Sequence, residues 1–558
     1  MTTKSPVVRP DRDEKKASPS PVDRRRFLGP LGVGASSIAA LGGAKAKAAT
    51  VPPGKDVGSP AGYQSFREAR AYEIRMAAAE MARNRPHVAH SSNGEEILYG
   101  NRIASYSKGL PHNPLGEVDG DAYLAFMSAI ASGTVEEFDR IPMGLGQKLT
   151  NPLAGLAFDL EGPDSHHLTL PPAPTIASAE AGGELGEVYW MALSRDVPFG
   201  DWATSPTIAD AAADLSRFPD FRGPKSDGRV TPETIFRGST SGDLVGPYLS
   251  QFLWMDIPMG SLRIPQRMWT MAAGRDFLTA YDDWLAVQNG LVVGPYPPDT
   301  TARYIRSLRD LGEWVHVDAL YQAYHQACLI LLGAGAPFSV GMPYASSATQ
   351  FGFGTFGGPH ILSLVTEVAT RALKTVWYQK WFVHRRLRPE AFGGLVHNTR
   401  RGAASYPVSR DILNSTAPDA VWSKFGSYLL PMGAPEGSPT HPSYGAGHGT
   451  VAGACVTILK AWFDGSYVLH RPVVADAAGT SLLAYSGPPL TVENELDKLA
   501  ANVAIGRNAL GVHYRSEYWQ SLLLGERLAA GILEEQRETY RELCEFSFRG
   551  FEGQTITI

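Results

Sequence analysis

The chain has 558 residues, 44% of them hydrophobic and 19% charged, the balance of a globular protein with a large core. A formal net charge of -5 leaves no basic excess to neutralise phosphates, which argues against a nucleic-acid partner. The three cysteines, Cys328, Cys455 and Cys544, lie far apart with no CxxC pair, so neither a thiolate metal site nor a disulfide framework is expected.

Taken in chain order, residues 1–21 are polar and rich in proline and charge. Asp23-Arg24-Arg25-Arg26-Phe27-Leu28 then precedes a mildly apolar stretch from Leu31 to Ala44 and a run of small residues to Ala49. That order is the one of an export signal, and paired arginines ahead of Phe-Leu fit the twin-arginine route. The expectation is a signal peptide and disordered N-terminus over residues 1–49, and a mature protein that is periplasmic or secreted. No other window holds eighteen consecutive apolar residues, so no membrane span is predicted. Residues 50–558 are read as one domain, with an N-terminal helical half and loops over 50–310 and a C-terminal half over 311–558.

Helical composition and periodicity predict helices over Phe66–Met81 and Ala122–Ala131, separated by a polar surface segment across 84–120. Residues 141–186, rich in proline and glycine, read as loop. Further helices are expected at Val188–Leu193, Ile208–Leu215, Gly246–Phe252, Gly274–Gln288 and Gly312–Leu332. Ile361–His384 carries the strongest pattern, with apolar residues at Leu362, Val365, Val368, Ala369, Ala372 and Val376. Gly449–Phe463, Glu493–Leu510 and Glu517–Glu538 follow, and the C-terminal FRGFEGQTITI suits a short hairpin. The fold class is mainly α with long irregular connections.

Three segments carry the chemistry. The first runs from Trp377 through Lys380, His384 and Arg388 to Pro389-Glu390. Lys380 and Arg388 are eight residues apart, about 12 Å along a helix axis, so Lys380, His384 and Arg388 are predicted to share a face. Pro389 biases Arg388 away from the helical region and ends the helix there. Cations at a helix C-terminus are also favoured by its dipole, so a structural role stays open. The second segment, Ser438-Pro439-Thr440-His441-Pro442-Ser443-Tyr444-Gly445-Ala446-Gly447-His448-Gly449-Thr450, is a glycine-rich turn leading into a helix, whose first N–H groups attract an anion. Gly447 allows close backbone approach, and His448 exchanges a proton near neutral pH. The third segment runs from Asn502 to Arg515. Arg507 falls in an apolar helix, where an unpaired charge is costly, and Gly511 interrupts that helix so that His513 turns back. A core carboxylate or a bound anion would each answer Arg507. Together the segments set Lys380, Arg388 and Arg507 around one site for a small tetrahedral oxyanion. No carboxylate cluster for Mg²⁺ or Zn²⁺ accompanies them.

Lys-x₇-Arg-Pro, then Gly-His at a turn, then Arg-x₅-His resembles the vanadium haloperoxidases and the related acid phosphatases. SPTHPSYGAGH, with His441 and His448, is similar to the algal bromoperoxidase branch. YSKGLPHNPLGEV, ALYQAYHQACLILL, HILSLVTEVATRALK, HRRLRPEA and NVAIGRNALGVHYR are similar to its red-algal type, over roughly residues 60–558. The resemblance implies two four-helix bundles forming one core, with the vanadate site in the C-terminal half. It implies vanadate as cofactor, without haem, and hydrogen peroxide, halide and small organic acceptors as partners. It also implies a homo-oligomer, dimer or larger. His513 would bond vanadium. Lys380, Arg388, Arg507 and the Gly447 N–H would hold the vanadate oxygens, with Ala446 in the same cradle. His448 would be the acid–base catalyst, Lys380 would polarise bound peroxide, and His441 would act near the halide. Trp377, where the family varies between arginine and tryptophan, tunes halide preference together with His441, and His441 favours bromide. Two departures stand out. Ala446 replaces the usual serine hydroxyl, worth roughly 1.5–3 kcal/mol as a hydrogen bond to a charged group. The stretch MPYASSATQFGFGTFGG has none of the carboxylates of the red-algal calcium loop, so no calcium is expected there. The alternatives are an exported acid phosphatase or other phosphoester hydrolase, and a non-catalytic oxyanion-binding protein.

Overall fold

Helices account for most of the regular structure in the computed structural model, which describes residues 60–558, with three two-stranded antiparallel sheets beside them; the expected export signal over 1–49 lies outside the described residues. Glu68–Ile558 forms one compact unit. The strongly periodic stretches become helices close to the predicted bounds: Gly120–Ser132, Pro206–Leu215, Gly358–Tyr378, Gly447–Trp462, Val492–Leu510 and Arg515–Arg537. The C-terminal hairpin forms, with Ser547–Arg549 antiparallel to Thr555–Thr557.

The Gly447–Trp462 helix is the axis of the C-terminal half. Every residue of it except His448 is buried, as expected of a helix surrounded on all sides. Arg515–Arg537, Gly358–Tyr378, Val492–Leu510 and Gln322–Gly333 pack around it. The crossing with Arg515–Arg537 is close because both sides are glycine. A Cβ on Gly453 would lie 2.1 Å from the Leu522 carbonyl oxygen, and one on Gly525 2.1 Å from that of Thr450. Ala179–Ser194, Pro206–Leu215 and Thr416–Phe425 form a second cluster, and Val492–Leu510 touches Ala179–Ser194 as well as the first bundle.

Several expectations are corrected. Gly312–Leu332 is two helices, Leu308–Trp314 and Gln322–Gly333, and the break between them carries His316 and Asp318. Ile361–His384 is α-helical only to Tyr378 and then widens into a π turn over Gln379–His384. The helix over Pro389–Arg401 was not predicted. Gly246–Phe252 is irregular apart from a single 3-10 turn, Gln251–Leu253. There the Asn502 side chain accepts from Ser250 N at 2.8 Å and donates to Tyr248 O at 3.1 Å, replacing helical hydrogen bonds. Ala179–Ser194 begins inside the stretch read as loop, its glycines seating it against Ser409 and Phe218. The segment 84–120 is not simply surface. Tyr106 and Lys108 are buried, Tyr106 N donates to Arg385 O at 2.7 Å, and Lys108 pairs with Glu390 at 3.0 Å. Its charge is satisfied internally, which polarity alone does not reveal. Gly274–Gln288 is helical only over Tyr281–Gln288.

Candidate functional site

The three segments meet. Lys380 rides the π turn that ends the Gly358–Tyr378 helix, and Arg385 follows with a left-handed φ of 42°. That reversal delivers Arg388 in extended conformation, φ -82° and ψ 155°, as the residue before Pro389 and the N-cap of the Pro389–Arg401 helix. Lys380 and Arg388 therefore converge across a chain reversal, not along one helix face. His384 does not join them. Its ring stands edge-on to Tyr444 with centroids 4.8 Å apart, and neither ring nitrogen has a hydrogen-bond partner. Gly511 closes the Val492–Leu510 helix at φ 90°, with Val512 N donating to Arg507 O at 3.2 Å. The chain then turns into the Arg515–Arg537 helix, so Arg507 and His513 come to one place.

The three cations are buried, and their hydrogen bonds go to carbonyl oxygens and imidazoles. Lys380 Nζ donates to Pro442 O at 2.8 Å and to Ser443 O at 2.9 Å. Arg388 donates to His441 O at 2.9 Å, Val512 O at 2.7 Å, His513 Nε2 at 3.1 Å and His441 Nδ1 at 2.8 Å. Arg507 donates to Val315 O at 2.7 Å, and its Nε is buried with no acceptor. Burial lowers all three. Lys380 is held well below the usual lysine range, with Arg388 adding to the burial effect, and Arg388 and Arg507 are each lowered to about 10. Burial, then Arg388 and Lys380, push the His513 and His441 imidazoles well below their ordinary value, so both are neutral. This is a buried donor set charged for an anion.

Around the cations, Gly447 is the first helical residue, so its N–H has no acceptor within the helix. A Cβ on it would lie 3.2 Å from the Trp377 ring. Ala446, placed in the cradle where the usual hydroxyl is absent, spends its N–H on Ser521 Oγ at 2.7 Å and offers only its methyl group. The Trp377 and His441 rings stack obliquely, 4.7 Å between centroids, and Trp377 Nε1 donates to Thr150 O at 3.1 Å. His448, partly exposed, pairs through Nε2 with Asp318 Oδ1 at 2.9 Å.

Sequence reasoning missed Asp318 and Glu517. Asp318 lies in the helix break that periodicity smoothed over. Glu517 stands four residues after His513 at the start of the next helix, a spacing that signals contact with a residue just before a helix. It is fully buried and takes the His513 Nδ1 hydrogen bond in a short contact. Burial raises its carboxyl pKa, opposed by Arg386, Lys380 and Arg388.

The VCPO second helical-bundle domain family matches residues 360–542, the stretch that holds all three segments. A vanadium-dependent bromoperoxidase of Corallina pilulifera is 40% identical over 90% of this chain and 100% of its own length. One of Ascophyllum nodosum is 37% identical over 88% of this chain and 92% of its own. The homohexameric structure of a second vanadate-dependent bromoperoxidase from Ascophyllum nodosum superposes with a TM-score of 0.84 at 29% identity, covering 93% of this chain and 94% of that one.

Proposed function

The chain belongs to the vanadium-dependent bromoperoxidase family, and from that premise we propose how its buried residues divide the work. It is an enzyme that oxidises bromide and iodide with hydrogen peroxide, releasing hypohalous acid to organic acceptors. The observation that carries the residue assignment is the set of three buried cations hydrogen-bonded to carbonyls and imidazoles, with Arg507 Nε unpartnered. A tetrahedral oxyanion of vanadate's charge fits that donor set. When bound, vanadate supplies a Lewis-acidic centre that activates hydrogen peroxide towards halide.

Lys380, Arg388, Arg507 and the Gly447 N–H would hold the oxyanion, and His513 would offer Nε2 to the metal. Lys380 would also polarise the peroxide through its Nζ. Because Asp318 is an acceptor, it fixes the hydrogen of His448 on Nε2. Nδ1 is then the atom that takes a proton from hydrogen peroxide and returns it. The His441 and Trp377 rings wall the halide position; Arg388 holds His441 in place through Nδ1, and burial, with Arg388 and Lys380, keeps that ring uncharged.

The same reading extends to the whole protein. A homo-oligomer is supported by the homohexameric relative. Export by the twin-arginine route rests on Arg24-Arg25-Arg26-Phe27-Leu28 alone. Independence of haem and calcium is proposed too. In the carboxylate-free stretch 342–358, Tyr344 and Thr355 both donate to Glu542 Oε1 at 2.7 Å, so a protein carboxylate ties that loop. The deciding assay pairs bromination of a phenolic dye by peroxide and vanadate with hydrolysis of an aryl phosphate. Bromination supports the reading; hydrolysis without bromination assigns the protein to the phosphoester hydrolases.

A further inference from the structure

The fully buried Glu517 joins both sides of the cradle through one oxygen. Its Oε2 accepts from His513 Nδ1, from Ser443 Oγ at 2.9 Å and from Tyr514 N at 3.3 Å. Its Oε1 faces Arg386 Nη1 at 3.4 Å, and Arg386 is held in turn by Glu184 at 3.0 Å and over the Tyr514 ring at 3.9 Å. Ser443 is the residue whose carbonyl receives Lys380 Nζ, and its N–H donates to Arg386 O at 3.0 Å.

The partners settle which nitrogen of His513 carries the hydrogen. A guanidinium has no lone pair to offer, so Arg388 Nη1, 3.1 Å from Nε2, can only donate to it. Nε2 is therefore an acceptor. The hydrogen of the neutral ring sits on Nδ1, where Glu517 receives it. That is the form needed for Nε2 to bond a metal, because an Nε2–H has no lone pair to give. A ring nitrogen facing a carboxylate is also a stronger ligand through its other nitrogen.

We propose that Glu517 is the positioning residue of the site: through Oε2 it locks His513 as the Nδ1–H tautomer and, through Ser443, holds the carbonyl that seats Lys380. The inference rests on the reading of the cradle as a vanadate site. Glu517 touches no substrate and acts only through His513 and Ser443. Ser443→Ala removes one of its hydrogen bonds and leaves the tautomer lock, whereas Glu517→Gln presents an amide that can turn its NH₂ to Nδ1.

The test has two independent arms. In the full-length wild-type protein without vanadate, ¹⁵N spectra of histidine-labelled protein, assigned with His513→Gln, are expected to show His513 protonated on Nδ1. Calorimetric titration with orthovanadate is expected to show Glu517→Gln binding about 10- to 100-fold more weakly than wild type. Ser443→Ala is expected to lose less. An Nε2–H tautomer in the wild type overturns the proposal, as does wild-type vanadate affinity in folded Glu517→Gln. If Glu517→Gln does not fold, the wild-type spectrum still decides. Failure of the wild type to bind orthovanadate at all would instead remove the vanadate reading, while the tautomer measurement stands on its own.

Discussion

At the scale of single residues, the site is a set of charges kept without counter-charges at contact distance. Lys380, Arg388 and Arg507 were legible as cations because lysine and arginine in or beside apolar helices demand an anion. Their motif spacing linked them. Asp318 was not legible, since nothing local marks one carboxylate among the 56 acidic residues as the partner of a histidine 130 residues away, whereas the His513–Glu517 spacing of four signals contact only once the helix is seen to start at Arg515. Asp318→Asn is expected to lower kcat about tenfold or more by releasing the His448 tautomer, with vanadate affinity nearly unchanged; steady-state rates alongside calorimetry check this. The absent hydroxyl at Ala446 gives a prediction of opposite sign. Its N–H is committed to Ser521, so Ala446→Ser adds a donor without removing one. Vanadate affinity should rise about tenfold, the worth of one hydrogen bond to a charged group. An unchanged dissociation constant would show that the new hydroxyl does not reach the oxyanion.

At the scale of elements, periodicity found the long helices and missed their irregular ends, and the site is built from those ends. The π turn at Gln379–His384, the break at 315–321 and the Gly511 reversal each depend on tertiary partners. His384 shows what the π turn entails. Burial, with Arg385, His90 and Arg386, lowers its imidazole to about 3, against an unfolded value near 6.5. The folded pKa is the lower one, so from pH 6.5 downward the unfolded chain binds a proton that the folded chain refuses. Stability from this group is present above pH 6.5 and is lost as pH falls towards 3, by about 1.4 kcal/mol per pH unit. Melting of His384→Phe should therefore decline less steeply than wild type between pH 6.5 and 4; parallel curves would show that His384 is protonated in the fold. The close helix crossing gives a second test. Gly525→Ala places a methyl group 2.1 Å from the Thr450 carbonyl oxygen and 2.5 Å from Ala454 N, both backbone atoms that cannot swing aside. A loss of at least about 1–3 kcal/mol is expected, read by denaturant unfolding.

At the scale of the whole molecule, fold class was legible because mean composition and helical periodicity are properties of long windows. The way two helical clusters share Val492–Leu510 was not, since it arises between segments hundreds of residues apart. That shared helix carries Arg507 at its end and leads to His513, so the core of the bundle and the geometry of the cradle are set together. The account's central claim is that this cradle holds vanadate for halide oxidation. The direct measurement is bromide oxidation by the protein stripped of oxyanions, titrated with orthovanadate and repeated in phosphate. We predict negligible activity without vanadate, saturable recovery at one vanadate per chain, and a right-shifted titration in phosphate with the same plateau. Full activity before vanadate is added, or none at saturating vanadate, would contradict the account.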